Sequence, residues 1–390
     1  MKQKKTISVM ILLFVMIGCG GKQSNNDFVI IDVLKNYPKK EIMLQDFADV
    51  EYIPLESADD EFLNDGMVHF INNEFIILRN RKDRNAILIF DRHTGKALKK
   101  ISRQGQGPEE YITVINIVFD EDRRELFVAD GLGSRKILVY DLDGQFKRRI
   151  NYPKDVRYSS LHNYDRGYLL GSNNGSTDEF GQMFHIISKE DGSVVRQIDI
   201  PFEKKANLPA ITPSGYPIAG STSGIFLYKN EFIITDLSTD TVYSCSADQD
   251  LQPFIVRTPP IHAMSYPEVY LSPRFISDRY YFMRTVKMDI APYKTLESFL
   301  SIPLPSTDLV YDTKEKASYE YKLYNADITN KTEVDISGPC NNEIIFIESI
   351  DAYRLVEYYK KGELKGRLEE IAATLDEDDN PVIMLVKHKK

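Results

Sequence analysis

Apolar residues in this chain come in runs of four to six, separated by spacers rich in Gly, Asp, Asn and charge, and only one stretch shows the wider spacing of a helical stripe. Such runs predict short β-strands joined by tight turns. Residues 105–150 show the unit most clearly: apolar runs at 112–119, 126–129 and 137–140, the turn Asp141-Leu-Asp-Gly144, and an alternating strand at 146–150. Four strands in a meander cannot bury both faces alone, so the unit requires neighbours of its own kind.

The second strand of that unit has a signature: a polar pair, about four apolar residues and a polar stop. It recurs as NEFIIL at 73–78, RELFVA at 124–129, RGYLL at 166–170, NEFII at 230–234, DRYYFM at 278–283 and NEIIFI at 342–347. The mean step is about 54 residues, within the range of propeller repeats. Third strands are expected at 86–90, 137–140, 183–187, 241–245, 309–311 and 382–386. Fourth strands are expected at 98–101, 146–150, 195–200, 254–257 and 319–323. The sixth unit runs out of chain, and residues 50–55 are left to supply its outer strand, where Pro54 is tolerated on an edge. The expected fold is an all-β, six-bladed propeller whose N-terminal strand closes the last blade, with a helical insertion in blade six. Insertions at 173–182, 285–308 and 352–380 all follow a second strand and therefore emerge on one face. Leu364, Leu368, Ile371 and Leu375 in the last of them are spaced as one helix face.

Composition adds location. Lys2, Lys4 and Lys5 precede an apolar run at 7–17, too short to span a bilayer, which reads as an export signal. Removing those lysines with the leader takes the formal charge from −9 to −12, which excludes nucleic acid as a partner. Met16-Ile17-Gly18-Cys19 resembles the lipobox of bacterial lipoproteins. That resemblance implies cleavage after Gly18, an acyl anchor on Cys19, and a membrane partner reached through the lipid. The expected layout is signal peptide 1–18, tether 19–40 and propeller 41–390, in the cell envelope and at the outer membrane. Cys245 and Cys340 fall in different blades and are expected as free thiols.

The repeats, with DVEYIPLE at 49–56, GQGPEEY at 105–111 and DNPVIM at 379–384, resemble the six-bladed β-propeller lipoproteins of Bacteroidetes, related in style to NHL-type propellers. The resemblance spans about residues 41–387. It implies an envelope propeller and assigns no activity.

No phosphate loop, zinc helix motif, paired CxxC or GxSxG elbow is present. Candidate ligand-binding residues therefore come from loop position: Arg79, Arg81, Glu109, Tyr111, Asp130, Arg135, Asn173, Asp236, His262 and Arg284. Arginine forks, carboxylates and amides converging at a channel mouth suit a carboxylate or polyhydroxylated ligand, although the acidic and amide members would equally cap turns at strand ends. The histidines lack metal spacing and read as surface or turn residues, and Tyr140, Tyr168, Tyr243 and Tyr311 read as core. Three functions fit: a module binding a glycan, peptide or protein on the channel-mouth face, with no cofactor; a lyase or lactone hydrolase using a divalent metal in the channel; or a structural subunit of an outer-membrane assembly.

Overall fold

The computed structural model describes residues 28–57, 60–80, 83, 85–131, 135–152, 156–173, 184–203, 210–211, 217–218, 223–246, 251–338 and 340–389. Six blades form a ring. Blade one is Val68–Ile71, Phe75–Asn80, Ala86–Asp91 and Ala97–Ile101, and blade two Val114–Asp120, Glu125–Asp130, Lys136–Asp141 and Phe146–Asn151. Blade three is Tyr158–Asn163, Tyr168–Asn173, Phe184–Ser188 and Val194–Ile198. Blade four is Ser223–Tyr228, Glu231–Asp236, Thr241–Cys245 and Gln252–Thr258, and blade five Val269–Ile276, Tyr280–Lys287, Ser306–Asp312 and Ala317–Tyr324.

Blade six is assembled from both halves of the chain. Ile344–Ile350 and Val382–His388 pair antiparallel, and the expected closing strand, Ala48–Pro54, adds outside them in the register Val382 with Pro54 to His388 with Ala48. Its innermost position is reduced to a single bridge between Ser337 and Ile347. Glu51 on the closing strand holds the seam from both sides. Arg92 of blade one donates to both carboxylate oxygens, at 2.6 and 3.1 Å, and Lys387 of blade six donates at 2.8 Å.

Glycine marks the same seam at three successive joints. Gly95, Gly144 and Gly192 close the third-to-fourth-strand turns of blades one to three, each with a positive φ near 70°. A Cβ there would lie 2.0 Å from the Pro54 oxygen at Gly95, 3.1 Å from Ile101 at Gly144 and 2.5 Å from Ile150 at Gly192. Each turn therefore presses on the outer strand of the preceding blade, and blade one treats residues 48–54 as that strand.

The chain enters the fold earlier than the 19–40 tether expectation allows. Val29–Asp32 runs parallel to the outer strand of blade four, and Lys39–Met43 runs parallel to that of blade five, before the closing strand on blade six. The three form a belt around half the ring. Its apolar positions fill grooves between blades: Ile31 and Val33 pack with Leu271, Met283 and Leu309, and Ile42, Leu44 and Phe47 pack with Phe282 and Phe346. Lys40 pins the belt, donating to Asp312 at 3.0 Å and Glu315 at 2.8 Å. The run FVIIDVL at 28–34 carried this signal, but four-residue strands at an edge are hard to distinguish from an apolar linker.

Two corrections concern side chains expected elsewhere. Tyr168 is 37% exposed rather than core, because it begins its strand on the turn face. His69 and His162 lie on inner strands, where burial pushes each imidazole down to about 4, and His185 is buried in a third strand with its Nδ1 3.0 Å from the Tyr158 hydroxyl. Cys245 and Cys340 are free thiols, as expected.

Blades two and three share a buried ion pair, Lys189 with Asp120, at 0% and 1% side-chain exposure. Asp120→Ala is expected to lower stability by about 3–5 kcal/mol by leaving the ammonium uncompensated, and Asp120→Leu with Lys189→Met to recover most of it, read by urea denaturation. The seam is expected to be acid-labile. The Arg92 hydrogen bonds, with help from Lys387 and against burial, hold the Glu51 carboxyl at about 2, below its ordinary 4.5. Its contribution is therefore complete above about pH 4.5 and lost as pH falls toward 2. The urea midpoint of wild type should fall toward that of Glu51→Gln across this window, and a constant gap between them would refute the latch.

Candidate functional site

The ring has a turn face and a loop face. The turn face carries the hairpins between first and second strands and is stitched by surface pairs such as Glu74 with Arg124 at 2.7 Å and Lys229 with Asp278 at 2.9 Å. It also draws blade four against blade six, where Asn230 N–H donates to Asn342 Oδ1 at 3.0 Å. The loop face carries the links between blades and the insertions after second strands.

The two loops of the opening repeat share the loop face and hold each other. Asp130 Oδ1 accepts from the N–H groups of Ile112 and Thr113 at 2.9 and 3.0 Å, Lys136 Nζ donates to the Glu110 carbonyl at 2.6 Å, and the Tyr140 hydroxyl donates to that of Glu109 at 2.7 Å. This accounts for Asp130: a carboxylate at the end of a second strand replaces backbone partners that the turning chain cannot supply. Asn173 does the same for Arg157 N–H at 3.0 Å. Asp236 accepts from Ser238 N–H at 2.8 Å and from the Ser223 hydroxyl at 2.9 Å. These three are buried and serve their own blades.

Tyr111 is also turned inward. It is fully buried, its hydroxyl accepts from Arg103 N–H at 3.2 Å and donates to the Asn85 carbonyl at 3.1 Å, and burial pushes the phenol up to about 12. No ligand on the loop face can reach it. Arg79 donates to the Val114 carbonyl and to Met67 Sδ at 2.8 Å, stapling blade one to blade two. Arg81 lies outside the described residues. Of the remaining candidates, Glu109 is exposed, and Arg135 is half-buried with φ +48° at the start of a third strand. His262 lies 3.4 Å from Glu203, and Arg284 grips Asp308 through two bonds of 2.6 and 2.9 Å, which raises its already high pKa. These four belong to blades two, four and five. Among the described residues, no group of three or more His, Cys, Asp or Glu side chains is arranged to hold a metal.

A concavity lies elsewhere on the same face. The insertion of blade six folds as two helices, Ala352–Lys360 and Gly366–Ala372, broken at Gly362 with φ +68°. Leu355, Leu364, Leu368 and Ile371 dock them onto the core beneath, as the spacing predicted for the second helix. Between the helices and the link from blade six to blade one lies a cleft of about 680 Å³, lined by Ser57, Asp60, Leu63, Val356, Lys360, Leu375, Asp376, Glu377, Asp378 and Asp379. Three aliphatic side chains and five carboxylates share it with one ammonium, and that ammonium, of Lys360, is engaged by Glu377 at 2.7 Å. Asn380 fixes the rim, donating to the Glu56 carbonyl at 2.7 Å and accepting from Asn64 N–H at 2.9 Å. The acidic run 376–379 stands in the sequence directly after the helical spacing that ends at Leu375. Its partner residues 57–63, more than 300 positions away, were not.

Among solved structures, a Bacteroides fragilis protein described as exported superposes with a TM-score of 0.64 at 16% identity, over 93% of this chain and 100% of its own, and shares the fold. A member of the DUF4221 family from Bacteroides vulgatus follows at a TM-score of 0.47 and 13% identity, over 88% of this chain and 97% of that one. Virginiamycin B lyase from Staphylococcus aureus gives 0.40 and 11%, over 88% and 100%. No curated protein sequence matches the chain. Residues 28–387 match the family described as a domain of unknown function, DUF4934, and the chain belongs to that family.

Proposed function

We propose that this chain is an exported envelope protein, anchored by lipid on Cys19, whose propeller binds a cationic polypeptide in the cleft between the blade-six helices and the link into blade one. The observation that carries this reading is the lining of the cleft. Leu63, Val356 and Leu375 offer an apolar floor, while Asp60, Asp376, Glu377, Asp378 and Asp379 surround it with negative charge that Lys360 offsets only in part. An extended segment with Lys or Arg flanking an aliphatic residue satisfies both, by burial of the aliphatic group and attraction of the charges. The export and anchoring part rests on the leader and on Met16-Ile17-Gly18-Cys19, and agrees with the Bacteroides fragilis protein of the same fold being described as exported. No helix among the described residues is long and apolar enough to cross a membrane.

Two outcomes are expected. A fluorescent peptide alternating Lys and Leu should bind the folded chain in a salt-sensitive manner, and Asp60→Asn with Glu377→Gln and Asp378→Asn should weaken it roughly tenfold or more at low ionic strength. Equal affinity of wild type and the triple variant by anisotropy would rule out the cleft. Cys19→Ser should move the chain from the membrane fraction to the soluble one, and mass spectrometry of the wild type should find a diacylglyceryl group on Cys19.

A further inference from the structure

We infer that the axis of the ring is a blind well that binds a small polyhydroxylated carboxylate, with Arg274 of blade five receiving the carboxylate and inner-strand side chains of blades one to three receiving the hydroxyls. The site is separate from the acidic cleft and does not rest on the peptide reading.

The floor of the well follows from connectivity. In a ring of six, blades one and four stand opposite each other. Two consecutive residues leading into blade six reach both of them. Asn341 Nδ2 donates to the carbonyl of Ile71, where the inner strand of blade one ends, at 3.0 Å, and Asn342 Oδ1 accepts from Asn230 N–H of blade four at 3.0 Å. Asn342 also donates back to Asn230 Oδ1. Both contacts lie on the turn face, so residues 341–342 run across the axis and close it there. Entry is left to the loop face.

The wall is polar where the spaces between blades are apolar. Among the described residues, inner strands carry a bulge at His69, Ile115, Ser159 and Arg274, whose flanking residues pair with consecutive positions of the second strand. A bulge re-aims a side chain out of the alternation that packs one blade on the next. On the same strands, Asn116 Oδ1 and Ser160 Oγ are buried and make no hydrogen bond. Buried polar atoms are ordinarily satisfied, and hydroxyl groups of a ligand would serve both. His69 and His162 keep part of their surface accessible, yet burial pushes both imidazoles down to about 4, with Arg79 adding to the effect at His69. Partial access combined with strong desolvation describes a ring beside a narrow space rather than on open surface. At neutral pH each is uncharged and offers one donor and one acceptor.

Arg274 supplies the charge. It is half-buried, and its Nη2 donates to the Ile336 carbonyl at 2.7 Å. Ile336 precedes Ser337, whose bridge to Ile347 is the innermost position of blade six, so the guanidinium is held near the axis. Among the described residues it forms no ion pair, whereas Arg284 on the next strand is engaged by Asp308. Its remaining N–H groups suit a carboxylate. Glu348, on the strand that borders this position, opposes an anion only weakly: burial raises its carboxyl to about 7, and when protonated it donates a hydrogen bond.

Calorimetry with sodium glucuronate tests the site, with glucose and acetate as probes of the two halves of its chemistry. Glucuronate should bind the folded chain at one site, and glucose and acetate at least roughly tenfold more weakly. Arg274→Gln and Asn116→Leu should each weaken glucuronate by roughly tenfold or more. Excess peptide alternating Lys and Leu should leave it bound. A second readout needs no substitution at the site: with histidines carbon-13 labelled at Cε1, glucuronate should shift the resonances of His69 and His162 and leave those of His93 and His262 in place. A disaccharide ending in glucuronate that binds more tightly than the free acid would identify a glycan end as the source, and the reverse order a free acid, and both results sustain the well. No binding of glucuronate by wild type, equal binding of glucose, displacement by the peptide, or shifts confined to His93 and His262 would overturn it.

Discussion

A four-stranded blade has two apolar faces and must be covered by a neighbour on each. A linear row of blades leaves its first and last members half exposed, and a ring removes the defect only if the last joint matches the others. Here the joint depends on the pairing of Ala48–Pro54 with Val382–His388. That ladder places Pro54 against Gly95 and Glu51 between Arg92 and Lys387, so blades six and one meet as blades one and two do. The cleft depends on it as well, since its two walls are the chain leaving the closing strand and the insertion preceding Val382–His388.

The belt extends the same logic outward. Two further strands cover the outer edges of blades four and five, with Lys40 reaching the buried Asp312 and aromatic rings of Tyr319 and Tyr280 close by. Half of the ring is thus bound by a single continuous segment.

The propeller was legible because each blade repeats a local pattern: apolar runs of strand length, glycine where a turn demands positive φ, and a leftover strand where the sixth unit was short. Residue pairs such as Asp141 and Gly144 act within a few positions, and local physics is what periodicity records. The site was less legible. Asp130, Asn173 and Asp236 were identified as polar residues at strand ends, but sequence cannot show whether such a group faces a ligand or its own backbone, and hydrogen bonds of about 3 Å to neighbouring loops decide for the backbone. The cleft joins residues near 60 to residues near 377, and no local pattern encodes a contact over that distance. Tyr111 misled for the opposite reason: its loop is exposed at both ends while its ring is fully buried.

The belt also sets an order of assembly. Ile30 meets Val256, Ile42 meets Leu323 and Val50 meets Val386, so each N-terminal strand waits for a partner more than 200 residues later in the chain. Contacts of such separation form late, after the loops they close have been made by other means. Domains ordinarily consolidate from the N-terminus as they emerge during synthesis; here the first strands are among the last to be placed. Blades one to five can condense in sequence while residues 28–54 remain unpaired, and the ring is then locked from the outside by the segment that emerged first.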